Sequence, residues 1–226
     1  MAEKLRGLFV TATDTGVGKT AVACGVVAGW RVRGRDVGAM KPAQSGHVPG
    51  EPSDAELLRA AAGGGDPPEL VCPYSLRAPL APAVAAREEG VAISLARILD
   101  AARALAARHD AIVVEGAGGL LVPLTERETY ADLARALGFP VLVVARSGLG
   151  TVNHASLTVE ALRARGLAIA GIVLNCASGV SDPSEPHNAR EIERLTGIAP
   201  LAVLPFDPDP ISRAARIAEI APLVQF

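Results

Sequence analysis

The sequence predicts an α/β fold, a single domain over residues 1–226 with a mostly parallel central sheet and helices on both faces. Three observations carry that reading. Short apolar segments of strand length alternate with longer segments of helical period, the order that builds a doubly wound sheet. The apolar segments are near-continuous, as in Ile112-Val113-Val114 and Val141-Leu142-Val143-Val144, which is what strands covered on both faces require. The first of them also runs through a glycine-punctuated junction straight into a helical stretch. Half of the residues are apolar, so a chain of this length can bury a sizeable core.

Taken in order, a strand over 7–12 leads into a helix over 19–33 that Gly34 stops. A strand over 36–40 follows, then a helix over 53–62 with Ser53 as N-cap and Gly63 as stop. The Pro-rich segment 66–82 reads as a long loop, and Ser94 caps a helix over 94–108 whose Ala-rich part is an ordinary helix face. His109 ends that helix, where an imidazolium suits the dipole. Beyond it come a strand over 110–115, a helix over 129–137 closed by Gly138, a strand over 140–145, and a helix over 151–165 closed by Gly166. The remainder predicts a strand over 169–175, a helix over 188–196, a strand over 201–205 and a helix over 211–220, with Pro-rich loops at 182–186 and 205–210. Trp30 sits among Val26, Val27 and Arg33 and is most simply core or interface.

Charge and composition exclude several classes. A net charge of −2 and a pI of about 6.1 provide no basic face for nucleic acid. No run of 18 apolar residues is present, and the sequence moves from Met1 into the first strand without a signal-peptide core, so a cytoplasmic protein with no membrane partner is expected. Cys24, Cys72 and Cys176 are far apart with no C-x-x-C spacing and read as small buried hydrophobes rather than zinc ligands, disulfide halves or nucleophiles.

Of 22 basic residues only Lys4, Lys19 and Lys41 are lysines; Arg supplies the rest. Where any cation would serve, this chain uses guanidinium, and the compact ammonium of lysine stands at two special places. Lys19 closes Thr13-Asp14-Thr15-Gly16-Val17-Gly18-Lys19-Thr20, which follows Leu8-Phe9-Val10 and opens a helix. Strand, glycine loop and helix together make a phosphate cradle: backbone N–H groups and the helix's positive end face phosphate oxygens, and Gly16 and Gly18 let the backbone curl close. Lys19 then reaches β/γ-phosphates and the Thr20 hydroxyl reaches Mg²⁺. Thr13 occupies the place of the usual first glycine.

Ligands in open α/β sheets bind beyond the carboxyl ends of strands. One strand ends at Met40 and delivers Lys41-Pro42-Ala43-Gln44-Ser45-Gly46; another ends in Glu115-Gly116-Ala117-Gly118-Gly119. An acid closing an apolar strand before a glycine-rich turn is placed to hold Mg²⁺ directly or through water, although a solvated strand-end carboxylate has the same appearance. Asp54, in a first helical turn, reads as a ligand, although an acid favoured there by the helix dipole alone has the same appearance. His154 follows Asn153 on a helix, has no second His or Cys at ligand spacing, and reads as a packing residue.

These three blocks, followed by Gly150-Thr151-Val152-Asn153-His154, resemble the dethiobiotin synthetase family in order and spacing. The match covers most of the chain and is weakest after about residue 177. Ala12 stands where many members have Gly, and Gly16 where many have Glu, so a carboxylate's role at that second position is absent here. The resemblance implies a Mg²⁺- and ATP-dependent cyclo-ligase. In it 7,8-diaminopelargonic acid takes up CO₂ on one amine, the carbamate oxygen attacks the γ-phosphate, and the second amine closes the ureido ring through a carbamic-phosphoric anhydride, releasing phosphate.

By the same resemblance Lys19, Lys41, Thr15 and Ser45 act on the carbamate and transferring phosphoryl group, and Thr20, Asp54 and Glu115 hold the metal. Thr15, Gly16, Val17, Gly18, Lys19, Thr20, Glu115, Gly116 and Gly118 surround the nucleotide, with Asn175 and Pro205 at the base. Ser45 and the turn Gly150, Thr151, Val152 and Asn153 bind substrate, the turn across the boundary of a homodimer. Two other readings compete. The synthetase part of cobyrinic acid amidases is similar but carries an extra glutaminase region for which 226 residues leave no room. ATPase switches of the ParA and MinD type carry a second lysine near the start of the loop, where this chain has Asp14, and 211–226 has too few cations for a DNA- or membrane-binding tail.

Overall fold

The computed structural model describes residues 5–48, 50–180 and 182–224. In chain order the elements are β1 (Gly7–Ala12), α1 (Lys19–Val32), β2 (Val37–Met40), β3 (Ala43–Gln44), α2 (Asp54–Ala61), α3 (Pro68–Val71), β4 (Tyr74–Ser75), α4 (Pro82–Glu88), α5 (Leu95–Ala106), β5 (Ala111–Gly119), α6 (Tyr130–Leu137), β6 (Val141–Arg146), α7 (Thr151–Ala164), β7 (Ile169–Asn175), α8 (Glu185–Thr196), β8 (Ala202–Leu204) and α9 (Pro210–Ala218), then a 3₁₀ turn at Ala221–Leu223. Six strands form one sheet in the order β2-β5-β1-β6-β7-β8, and β3 and β4 form a small second one. Every pairing between these strands is parallel.

The apolar strands are sorted by their period of two into two core layers. Leu8, Val10 and Ala12 of β1, Val113 of β5, and Leu142 and Val144 of β6 pack with Val22, Val26 and Trp30 of α1, Leu58 of α2 and Ile217 of α9. Their neighbours Phe9, Ile112, Val114, Val141 and Val143 face the other way, onto Ile98 and Leu105 of α5, Leu133 of α6, Val159 of α7 and Ile192 of α8. Alternate residues thus feed opposite faces, so the runs are almost wholly apolar, with Thr11 of β1 a buried exception.

One packing detail places the C-terminal segment. A Cβ added at Gly25 of α1 would lie 2.2 Å from Ile217, and one at Gly29 would lie 2.4 Å from the carbonyl oxygen of Ala218. Two glycines a helical turn apart therefore open a groove in which α9 lies directly on α1. The Trp30 indole N–H donates to the Ala221 carbonyl oxygen at 2.8 Å and fixes the far end of that contact.

The expected strands and helices stand within a few residues of their places, and Ser53 and Ser94 cap α2 and α5. The expected loop at 66–82 is different: it contains α3 and β4 and leads into α4. Both short helices carry Pro at the start, where the missing N–H costs nothing, so these prolines begin helices rather than interrupt structure. Pro186 does the same for α8, which begins at Glu185 rather than at 188. The glycine-rich turn expected after Glu115 is instead the continuation of β5 to Gly119, which pairs with Ala12 beyond an irregularity at Val10/Ala12 of β1. His109 does not end a helix; α5 stops at Ala106, and the two imidazole nitrogens lie 2.8 Å from carboxylate oxygens of Asp36 and Asp66.

Candidate active site

The site forms at the carboxyl ends of β1, β2 and β5. Gly16 and Gly18 of the loop adopt φ of +71° and +88°, conformations open to glycine. No non-glycine residue among those described has positive φ, so Thr13 fills the place of a first glycine without strain, its N–H donating to the Val144 carbonyl at 2.9 Å. The loop is braced from two sides. Asn175 Nδ2, at the end of β7, donates to the Val17 carbonyl at 2.8 Å. Arg146 Nη2, at the end of β6, donates to Asp14 Oδ2 at 2.5 Å, while Asp14 Oδ1 accepts the Thr15 N–H at 2.8 Å.

Both lysines converge on one oxygen. Lys19 Nζ donates to Glu115 Oε1 at 3.2 Å and Lys41 Nζ to the same atom at 2.7 Å; Lys41 also donates to Asp54 Oδ2 at 2.6 Å and to the Gly116 carbonyl at 3.3 Å. Thr20 Oγ1 lies 3.0 Å from Asp54 Oδ1 and 2.9 Å from Glu115 Oε1. Glu115 is fully buried and Lys41 only 2 % exposed. Charges so deep in protein require compensation, and two ammonium groups against two carboxylates provide it.

Asp54 is held in place by the start of α2. Ser53 and Glu56 form a reciprocal capping box, and Gln44 Oε1 accepts the Ala55 N–H at 3.1 Å. The Asp54 carboxylate is thereby turned to Lys41 and Thr20, so it is more than a dipole-favoured acid. Burial drives the Lys19 pKa down, and the neighbouring Lys41 adds to the effect while Glu115 opposes it. Burial also pulls on Lys41, but Glu115 and Asp54 outweigh it and its pKa is raised. For Asp54 burial works against ionisation, and Lys41 overcomes it, holding the carboxyl below its usual range.

Hydroxyl and carboxylate oxygens of Thr20, Asp54 and Glu115 suit a hard divalent cation. Glu115 Oε2 is buried with no hydrogen-bond partner, a lone pair left for such a ligand. Among the described residues no group of three or more Asp, Glu, His or Cys forms a full cage. That fits Mg²⁺, which is bound by one or two carboxylates with water and phosphate completing its shell.

Other expected residues sit around this cluster. Thr15 is exposed, its methyl carbon 3.5 Å from where a Cβ on Gly118 would stand. Ser45 donates its hydroxyl to the Leu80 carbonyl at 2.7 Å rather than toward the lysines. Pro205 is exposed next to Leu204, whose carbonyl accepts the Cys176 N–H at 2.9 Å, so it lies beside the end of β7. Gly150, with φ of +89°, opens α7; Thr151 is buried, Val152 half-buried and Asn153 exposed. Among the described residues no hydrogen bond joins Gly150–Asn153 to the lysine–carboxylate cluster. Burial pushes the Cys24 thiol up to about 12 and the Cys72 thiol up to about 11, so neither is a nucleophile near neutral pH.

Gln44, Asp14 and Arg146 carry structural work at the site that the sequence reading did not assign. Gln44 lies inside a quoted block, and its place between Lys41 and Ser45 was the available signal. A recess of about 1310 Å³ lined by Arg6, Val37, His109 and Phe139 lies at the amino ends of the strands, away from this chemistry.

A phosphate loop after the first strand of a parallel sheet, with a buried acid on the adjacent strand, defines a P-loop nucleotide-binding protein. The AAA domain family model matches residues 6–213. An ATP-dependent dethiobiotin synthetase BioD from Anaeromyxobacter dehalogenans (strain 2CP-C) is 66% identical over 98% of this chain and 100% of its own length. Its namesake from Bacillus cereus (strain B4264) is 42% identical over 89% of this chain and 84% of its own. The chain belongs to the ATP-dependent dethiobiotin synthetase family. A ParA family ATPase from Chlorobium tepidum TLS shares the fold with a TM-score of 0.56 and 17% identity, covering 97% of this chain and 93% of its own. At that identity the likeness is of fold alone.

Proposed function

We propose that the chain carboxylates 7,8-diaminopelargonic acid with CO₂ and closes the ureido ring at the expense of ATP, forming dethiobiotin, ADP and phosphate. The observation that carries this is the meeting of Lys19 and Lys41, from two strand ends, on one Glu115 oxygen at 3.2 and 2.7 Å. One amine of the substrate attacks CO₂ and loses a proton to give a carbamate. A carbamate oxygen displaces ADP from the γ-phosphorus, and the second amine attacks the resulting anhydride carbonyl, expelling phosphate. The negative charge that moves in the second step is spread over carbamate and phosphoryl oxygens, where two ammonium groups supply the stabilisation. Thr15 and Ser45 hold the carbamate in line, which for Ser45 means turning its hydroxyl away from Leu80.

Thr20, Asp54 and Glu115 would hold Mg²⁺, which supplies charge neutralisation to the β- and γ-phosphates when bound. Asn175, which donates one Nδ2 N–H to Val17, keeps its carbonyl oxygen for the base, and Pro205 borders the same place. The positive start of α7 at Gly150–Asn153 suits the substrate carboxylate, the one anion remote from the amines. Leu149 and Leu157 beside that turn are 77% and 55% exposed, apolar surface that supports a homodimer sharing each substrate site. We place the enzyme in the cytoplasm. The test is phosphate release with and without the diamine and bicarbonate. A ligase is nearly silent without substrate, whereas steady ATP hydrolysis that ignores the diamine would return the chain to the switch class.

A further inference from the structure

We propose that Arg213, on α9, is a nucleotide-binding residue that contacts the phosphates nearest the nucleoside; the inference rests on the nucleotide reading of the phosphate loop. Arg213 and Ile217 are one turn apart on the same helical face. Ile217 is buried in the groove at Gly25 of α1, so Arg213 projects from that face toward the amino end of α1, where the phosphate loop ends. Its Nη2 lies 3.7 Å from where a Cβ on Gly18 would stand, a point that is also 2.2 Å from Asn175 Nδ2.

Arg213 is half-buried, and its guanidinium makes no hydrogen bond or ion pair among the described residues. The acid that could satisfy it is committed elsewhere: Asp207 Oδ2 accepts Ser212 Oγ at 2.6 Å and Arg216 Nη2 at 3.1 Å. Two arginines three residues apart on α9 therefore have different tasks. Arg216 fastens the 205–210 loop, and Arg213 brings an uncompensated charge to the rim of an anion cradle. A forked donor there matches phosphate oxygens, and its position beside Asn175 puts it at the nucleoside end rather than at the γ-phosphate.

The experiment titrates ADP, and adenosine by competition against ADP, into wild type, Arg213→Gln and Arg213→Lys, with thermal melts to check folding. Arg213→Gln is expected to weaken ADP by roughly tenfold to a hundredfold, as loss of charge-assisted hydrogen bonds does, while adenosine changes by less than about threefold. Arg213→Lys keeps the charge but not the fork and should fall between, which also serves if the glutamine variant does not fold. ADP affinity of wild type should fall more steeply with salt than that of Arg213→Gln. Unchanged ADP affinity in both variants overturns the proposal, and equal losses for ADP and adenosine overturn the phosphate assignment. A wild-type protein that binds no ADP would instead sink the nucleotide reading on which it rests.

Discussion

Lys41 has little room, being nearly fully buried between Asp54, Glu115 and the Gly116 carbonyl. Lys41→Arg should lower turnover by ~10²-fold or more with little change in ATP dissociation constant, because a longer, forked cation cannot occupy that point. Calorimetry showing that the variant mainly loses ATP binding would reassign Lys41 to the nucleotide. Lys19→Ala should lose turnover by ~10²-fold while staying folded, and wild-type rates in that variant would sink the phosphate-cradle reading. Asp54→Asn should raise the Mg²⁺ concentration needed for half-maximal rate by about tenfold, since one of two carboxylates is lost; an unchanged Mg²⁺ titration would return Asp54 to a purely structural role. Asp54 also couples stability to pH. Its folded pKa is depressed, so its pairing with Lys41 stabilises fully above pH ~4 and is lost as pH falls through the lower folded value. The urea midpoint of wild type should therefore drop more between pH 5 and pH ~3 than that of Asp54→Asn. Lys19 and Thr20 were legible in the sequence because their motif is local. Asp54 read as a ligand that a helix-start acid could imitate, and only the fold shows it turned to Lys41. Arg213 carried no mark at all, one of 19 arginines on an ordinary amphipathic helix.

At the scale of elements, glycine placement does what periodicity could not announce. In α1, alanine at Gly29 gains about 1 kcal/mol in helix propensity, but its Cβ would stand 2.4 Å from the Ala218 carbonyl oxygen, which is backbone and cannot swing aside. Overpacking of that kind costs typically ~1–3 kcal/mol, so Gly29→Ala should be destabilising on balance, and a stabilised variant in urea denaturation would contradict the close seating of α9 on α1. The start of α6 offers a second case. Asp132 accepts the Thr129 N–H at 2.9 Å and the Thr129 hydroxyl at 2.8 Å, and Asp132→Ala should cost about 1 kcal/mol by the same measurement. The main strands were readable because two-sided burial leaves continuous apolar runs. The extension of β5 through Gly116–Gly119 was not, since glycines signal turns locally and only pairing with Ala12 makes them strand. Nor were α3 and α4, because a proline opening a helix and a proline breaking a chain are the same letter.

For the molecule as a whole, the proposed sharing of substrate sites between subunits makes a demand of its own. A Lys41→Ala subunit and one with a bulky residue at Gly150, each inactive alone, should regain part of the activity when mixed, because one hybrid site is then intact; no recovery despite demonstrated subunit exchange would mean that each chain builds its site alone. The two core layers differ in a further respect. The layer opposite α1 is built from residues that end with Ile192, whereas the α1 layer includes Leu204, Ile217, Ile220, Ala221 and Val224. A ribosome therefore delivers the partner of the Gly25–Gly29 groove only after the opposite layer is complete. Until α9 leaves the exit tunnel, the helix that carries the phosphate loop shows its apolar groove to solvent, the kind of exposed aliphatic surface that chaperones read.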